Sequence, residues 1–384
     1  MAEQGTSIAG RLRGAPAHLG LSRVLGVVVA LVFTSLVLVL AGASPLAAFG
    51  VLWQGALGTP DRQSNVLMAM VPLLLCSAGL LLTFATGLWN IGIEGQIVLG
   101  AIGATWVVRA FALPPELMLP LILAGGMVAG ALWALLAGLL KVYGHVHEIF
   151  GGLGLNFIAV TLTTYLVFGP WKQRTGATMS GTEPFPQAYW LPTLPNVSLS
   201  PLALGLAVIA LVIVYFSVRG TLWGLQLRSV GKNIRSAFLL GLPTHRLMLS
   251  AFALCGALAG LAGAIQATGL FHRLIPSISS GYGFLAILVV LLASFRALWV
   301  APIALFFAAV SRGGTQLQIE LGLDSSLGGV LQGALVLGVL LTQGIEFGKQ
   351  RQPADDRPAV SEPNRGAQAE DQAAASVELQ SGSH

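Results

Sequence analysis

The chain has 384 residues, 55% of them hydrophobic and only 9% charged, and its mean hydropathy is +0.80. Soluble domains carry about 25% charged residues, so this surface is not built for water. A net charge of +5 does not indicate nucleic acid, because the basic residues are scattered over short loops rather than gathered in a stripe with aromatics.

Arg11, Arg13 and Arg23 precede the first apolar run, and no small-residue cleavage site closes it as a signal peptide would. Residues 1–23 therefore read as a cytoplasmic N-terminal segment ahead of a retained helix. Apolar runs follow at 24–42, 66–84, 96–112, 119–140, 149–168, 201–218, 247–269, 281–295, 297–311 and 328–345. A hydrocarbon core of roughly 30 Å needs about 20 residues per helical crossing. Backbone groups there must be satisfied within the segment, so the runs are helices, and they lack the alternation of a β-barrel. The expectation is an all-α polytopic membrane protein with about ten transmembrane helices in a domain spanning 24–348. The short, Gly-rich segment 46–58 is expected along the outer interface.

Three other regions stand out. Segment 169–200, rich in Pro, Gly, Thr and Ser, reads either as a loop with Trp171 and Trp190 at the interface or as a docking surface for an external partner. Loop 219–246 is the most basic stretch between runs. The polar tail 349–384 has too few large apolar residues for a core and is expected to be disordered in the cytoplasm.

Orientation follows the basic residues. With the N-terminus inside, fourteen fall on the inner side: Arg11, Arg13, Arg23, Lys141, Arg219, Arg228, Lys232, Arg235, Arg246, Arg296, Lys349, Arg351, Arg357 and Arg365. Six fall outside: Arg62, Arg109, Lys172, Arg174, Arg273 and Arg312. The excess puts both termini in the cytoplasm.

Three motifs carry chemistry. Gly87-Leu88-Trp89-Asn90-Ile91-Gly92-Ile93-Glu94-Gly95-Gln96 interrupts apolar sequence with polar groups and glycines. Glu94 is the acidic residue expected at membrane depth, where a carboxylate must be paired, hydrogen-bonded, protonated or facing a water-filled path. The segment reads equally as a cytoplasmic turn with Glu94 at the positive end of a helix. Leu227 to Asn233, followed by Ser236, Ala237 and Gly241, is either an ordinary basic loop or a short helix seated on a cytoplasmic motor. Glu148 and Asn156 lie eight residues apart, on roughly one helical face. Asn156 is either a bond between helices or part of a solute path.

The residues lack other machinery. No glycine-rich loop ends in Gly-Lys-Ser/Thr, so the chain shows no nucleotide-hydrolysing motif. No nucleophile–His–acid set or metal cluster is recognisable. His145 and His147 would not share a helix face, and Cys76 and Cys255 sit within apolar runs as small hydrophobes.

At these motifs the chain resembles a known family. Asn90 to Gln96 is similar to the Asn-Ile-Gly-Ala-Glu-Gly-Gln signature of permease subunits of ATP-binding-cassette importers for nucleosides and simple sugars, in the branched-chain amino acid and ribose permease superfamily. Trp89 stands where that signature has Phe. His147 to Ala159, Arg228 to Gly241, Ser250 to Ala264 and Ser280 to Phe284 resemble further family segments. Gly151-Gly152-Leu153 and Cys255 are departures.

The resemblance implies a multi-pass bacterial inner-membrane subunit that is not itself an enzyme and holds no cofactor. ATP would be used by separate cytoplasmic ATPases, with an extracytoplasmic solute-binding protein and a second permease, in a heterodimer, completing the assembly in membrane lipid. It makes Arg228, Val230, Gly231, Asn233, Ala237 and Gly241 the ATPase-coupling loop. It makes Asn90, Gly92, Glu94, Gly95, Gln96, Asn156 and Phe284 signature or translocation-path residues. The alternatives are a branched-chain amino acid or pentose permease of the same superfamily, or an ion-coupled secondary transporter with Glu94 as relay. The last predicts inverted repeats and discontinuous helices in matching halves.

Overall fold

The computed structural model describes residues 31–40, 42–173, 181–195 and 197–322, with helical positions at 28, 329–330, 332–334 and 337. They belong to one compact unit, Val27–Val339. The N-terminal segment 1–23, the tail 349–384 and most of the run 328–345 lie outside the described residues.

Among the described residues the chain is helical, with one isolated bridge between Lys172 and Thr182. In chain order the helices are α1 (Leu31–Leu40), α2 (Pro45–Leu57), α3 (Pro60–Ala85), α4 (Ile93–Ala110), α5 (Pro115–Val142), α6 (Glu148–Phe168), α7 (Pro201–Gly220), α8 (Leu222–Lys232), α9 (Ile234–Leu239), α10 (Thr244–Ile265), α11 (Tyr282–Leu292) and α12 (Ala297–Leu321). A π-helical turn, Gln266–Leu270, extends α10. Proline opens α2, α3, α5 and α7, where its missing N–H costs nothing. Thr59 and Ser200 cap α3 and α7 through side-chain oxygens.

Among the described residues six helices are long and apolar enough to cross a membrane: α3, α5, α6, α7, α10 with its π turn, and α12. The α1–α2 pair, bent by 108°, makes a seventh if it counts as one crossing. This is fewer than the about ten transmembrane helices expected. The run 96–112 is the continuous 18-residue α4, which is not among the six, and the run 281–295 is a shorter helix. Helix α4 begins at Ile93, and α11 has only 11 residues, about 16 Å at 1.5 Å per residue. The run 328–345 is largely undescribed.

A further difference concerns Arg312 and leaves the count unchanged. By sequence the run 297–311 ends in an outer loop at Arg312, yet α12 continues to Leu321. Ser311, Arg312, Gly313 and Gly314 read as a loop, but Gly313 is where α12 meets the backbone of Leu52 on α2. Small residues in membrane helices mark close approach more often than a turn. The Arg312 guanidinium thus lies within the helix, facing the Tyr282 hydroxyl. Helix α2, Pro45–Leu57, covers most of 46–58 and packs against α12 through Ala48 and Leu317, with Leu38 of α1 in the same cluster.

Helix α3 is buried along nearly its whole length, as expected of a helix apolar all round. Beside it, α4, α5 and α10 meet at glycines. A Cβ on Gly260 would run into the Gly126 carbonyl oxygen, and Gly100 and Gly130 close its other sides. We expect Gly260→Ala to cost about 1–3 kcal/mol through overpacking. The check is the monodisperse fraction of the purified chain in detergent. Gly205→Ala on α7, with nothing within 4 Å, should leave that fraction unchanged.

The described part of segment 169–200 is fastened down. Thr182 exchanges bonds with Leu274, its N–H reaching the Leu274 carbonyl at 2.9 Å and its hydroxyl accepting from Leu274 N–H at 3.1 Å. Phe185 N–H reaches His272 O at 2.7 Å. Trp190 stacks on the His272 ring at 3.7 Å, and His272 Nδ1 lies 2.9 Å from the Thr268 carbonyl oxygen.

Candidate functional site

The chain leaves α3 at Ala85 and turns at Gly87, which has φ +74°. It then runs back into the protein before α4 starts. Asn90 Nδ2 lies 3.1 Å from Cys255 Sγ, eleven residues inside α10. Glu94 is close enough to interact with Cys76, nine residues before the end of α3. Both positions are about 14–16 Å from the helix ends, near mid-depth. Irregular backbone at that depth must be enclosed by protein or line a cavity. Here it is enclosed: Asn90, Glu94, Gln96 and Asn156 are all buried.

Each polar group has a partner. Asn90 and Gln96 exchange amide hydrogen bonds, Asn90 Nδ2 donating to Gln96 Oε1 at 3.1 Å and Gln96 Nε2 donating to Asn90 Oδ1 at 3.0 Å. Asn156, from α6, clamps the turn. Its Oδ1 accepts from Gly95 N–H at 2.8 Å and its Nδ2 donates to the Ile91 carbonyl at 2.9 Å. Gly92 and Gly152 let the turn touch α6, for a Cβ on Gly152 would sit 2.7 Å from Gly92 N. Gly152, a departure from the family pattern, is thus a contact with the signature itself. Trp89, the other nearby departure, packs edge-on against Phe84 at 5.3 Å.

Glu94 sits in the first turn of α4 and also caps a second helix. Its Oε1 accepts from Gly281 N–H at 3.1 Å and its Oε2 from Gly283 N–H at 2.7 Å. The Phe284 N–H and the Ser279 hydroxyl also bond it. The carboxylate therefore meets the positive ends of α4 and α11 together. Gly281 has φ +74°, which a side chain would resist. A Cβ on Gly283 would lie 2.5 Å from Glu94 Oε2. Phe284 contributes backbone to this cluster, while its side chain is exposed. Of the two readings of the segment, the structure shows an enclosed polar turn whose Glu94 also binds the start of α11.

The coupling-loop candidates form a separate elbow. Thr221 caps α8, and Asn233 ends α8 while capping α9 through Ser236 N–H at 3.0 Å. Val230 and Ala237 are buried. Gly231 seats on the end of α3: a Cβ there would strike the Ala85 carbonyl oxygen and lie 3.0 Å from Gly87 N. Gly241 has φ +79° and closes α9. Arg228 Nε reaches back to Gly224 O at 3.4 Å.

The elbow and the mid-depth cluster are therefore distinct, joined by the 85–90 turn. Sequence reasoning missed what the elbow exposes. Phe238, Leu239 and Leu240 are 67%, 83% and 79% exposed, beside Lys232 and Arg235. An apolar triplet in an otherwise basic loop was the available signal. Also missed were Ser279, Gly281 and Cys255 as partners of the signature.

The apolar helices and the enclosed polar turn between them define a multi-pass helical membrane protein. The chain belongs to the family described as branched-chain amino acid transport system, permease component, whose family model matches residues 63–340. It is a transport permease subunit, not an enzyme. It is 35% identical to the glucose ABC transporter permease protein TsgB13 of Haloferax volcanii, over 85% of this chain and 88% of that one. It is 29% identical to the guanosine ABC transporter permease protein NupP of Bacillus subtilis, over 84% of this chain and 93% of that one. A second permease of that bacterium, NupQ, matches at 25% identity over 63% of this chain and 77% of its own length.

Proposed function

We propose that the chain forms the translocation path of an ATP-binding-cassette importer for a nucleoside or simple sugar in a bacterial inner membrane. A cytoplasmic ATPase docks on the α8–α9 elbow, an extracytoplasmic binding protein delivers the solute, and a second permease completes the path. The naming of both similar relatives for such solutes supports the substrate class. The similarity to two different permeases of Bacillus subtilis supports a heterodimer. Counting the α1–α2 pair, segments 86–110 and 271–295, and the run 328–345 with the six long helices brings the crossings to ten. Both termini then lie on one side, which the excess of basic residues assigns to the cytoplasm.

The observation that carries the reading is the elbow. It presents Phe238, Leu239 and Leu240 outward while Gly231 rests on the turn leading into Asn90–Gln96. A motor gripping the exposed triplet would push directly on that turn. ATP binding and hydrolysis shift the outward–inward equilibrium only through different contacts in the two states. The elbow supplies a place for that difference.

Interrupted crossings also occur in ion-coupled transporters, so they do not separate the two mechanisms. The surroundings of Glu94 favour the ATP-driven one, because its carboxylate is engaged by helix N–H groups. The test is uptake of labelled guanosine or glucose by vesicles holding the full complex. Uptake should persist with a proton uncoupler and stop when the ATPase is made catalytically inactive. Uptake by this chain alone under an ion gradient would overturn the proposal.

A further inference from the structure

At the end of the bundle carrying the elbow, a cavity of about 190 Å³ opens between α3, α7, α8 and the α11–α12 turn. Its walls are apolar, including Leu81, Phe84, Val214 and Phe295, and two arginines stand at it, Arg219 and Arg228. Arg219 lies over the Tyr215 ring at 5.2 Å and bonds its hydroxyl. Neither arginine has a carboxylate partner among the described residues, where Glu148 pairs with Lys141 and His147. No Asp or Glu occurs anywhere between Glu183 and Glu320. The described carboxylates are engaged or placed elsewhere: Asp61 bonds Asn65, Glu94 caps α11, and Glu320 accepts from Gln316.

Two guanidinium groups without a described carboxylate partner, beside an apolar cavity, suit a ligand with an anionic head and a greasy body. The neighbouring face of α7 suits the same body. Val212, Ile213 and Phe216 are exposed there, and the helix has few buried residues. Arg is the side chain that matches phosphate oxygens in a planar fork.

We propose that this cavity binds an anionic phospholipid, its phosphate held by Arg219 and Arg228 and an acyl chain lying along α7. Basic pockets between membrane helices are a recognised setting for such head groups. The site needs only the membrane-spanning fold, so it stands or falls independently of the solute. Because Arg228 belongs to the elbow and Leu81, Phe84 and Ala85 to the end of α3, the lipid would bridge the two elements that Gly231 also joins.

The test uses the full-length chain in phosphatidylcholine vesicles doped with a photoactivatable phosphatidylglycerol, with labelled peptides read by mass spectrometry. Wild type should be labelled within 212–228. Arg219→Gln should reduce labelling about fivefold, the roughly 1 kcal/mol that one basic residue contributes toward an anionic surface. Arg219→Gln with Arg228→Gln should abolish it, and the double Lys variant, which keeps the charge, should retain much of it. An equally loaded phosphatidylcholine probe should label the segment weakly.

Equal labelling by both probes, or labelling indifferent to the arginines in a correctly folded double variant, overturns the proposal. So does labelling that appears only after removal of 349–384, since the acidic residues of that tail would then be the occupant in the intact chain.

Discussion

Replacing Glu94 by Gln is expected to destabilise the folded chain by about 2–3 kcal/mol, read as a fall in its apparent melting temperature in detergent of roughly 5 °C. The physical reason lies in the donors that converge on the carboxylate. Gly281 N–H and Gly283 N–H point at its two oxygens from the start of α11, and the Phe284 N–H and Ser279 hydroxyl join them. A carboxylate offers acceptors on both oxygens, whereas an amide offers one oxygen and one NH₂ group. With the amide in place, the N–H of either Gly281 or Gly283 would face another donor inside a buried site. The favourable interaction of the charge with the α11 dipole is lost as well. Glu94→Asp, one methylene shorter, reaches fewer of the donors and should fall between the two. An unchanged melting temperature for Glu94→Gln would show that the carboxylate does not hold α4 to α11.

Gly231→Val should abolish most uptake by the assembled complex while leaving the chain folded in the membrane. A β-branched side chain at 231 cannot share space with the Ala85 carbonyl, the Thr86 carbonyl carbon and the Gly87 backbone nitrogen. The elbow must lift off the end of α3. Overpacking of this kind costs about 1–3 kcal/mol. If that cost falls on the state in which the elbow presses on the turn, uptake drops about tenfold for each 1.4 kcal/mol. Hydrolysis by the partner ATPase should lose its dependence on delivered solute, because the motor then grips a displaced handle. Coupled hydrolysis and uptake equal to wild type would remove Gly231 from the transmission route. Gly241→Ala is a different case: no atom lies near its Cβ, and the penalty comes only from φ +79°.

Much of the fold was legible because transfer of apolar side chains out of water is additive along a segment. The runs 66–84, 119–140, 149–168, 201–218 and 247–269 match α3, α5, α6, α7 and α10 within a few residues. The same counting failed where a segment is apolar but broken. Residues 281–295 look like one crossing by composition, yet α11 begins at a left-handed Gly281 and ends after 11 residues. Residues 311–314 look like a loop, yet Gly313 packs on Leu52 inside a continuous helix. Glycine reads the same in a turn and in a tight helix contact, so the pattern alone does not separate the two.

The candidate residues divide in a similar way. Asn90, Glu94, Gln96 and Asn156 were conspicuous as polar side chains in apolar surroundings, and the structure brings all four together. Their partners were not conspicuous. Cys255 lies 165 residues from Asn90, and Gly281 lies 187 residues from Glu94. Val230 and Ala237 stood among the coupling-loop candidates, but their buried side chains build the seat of the elbow. The outward surface carries the candidates Arg228, Asn233 and Gly241 together with Phe238, Leu239 and Leu240.

By itself the amino-acid sequence determined that the chain lives in a bilayer, that its helices carry no motor of their own, and where polar groups interrupt the apolar runs. These are local quantities, set by side-chain transfer and residue identity. Only the tertiary structure decided that Glu94 caps a distant half-length helix, that Asn156 clamps the signature turn, and that Gly231 rests on it. A buried polar group is stable only with its partners in place, and those partners are supplied by packing between segments far apart in the chain.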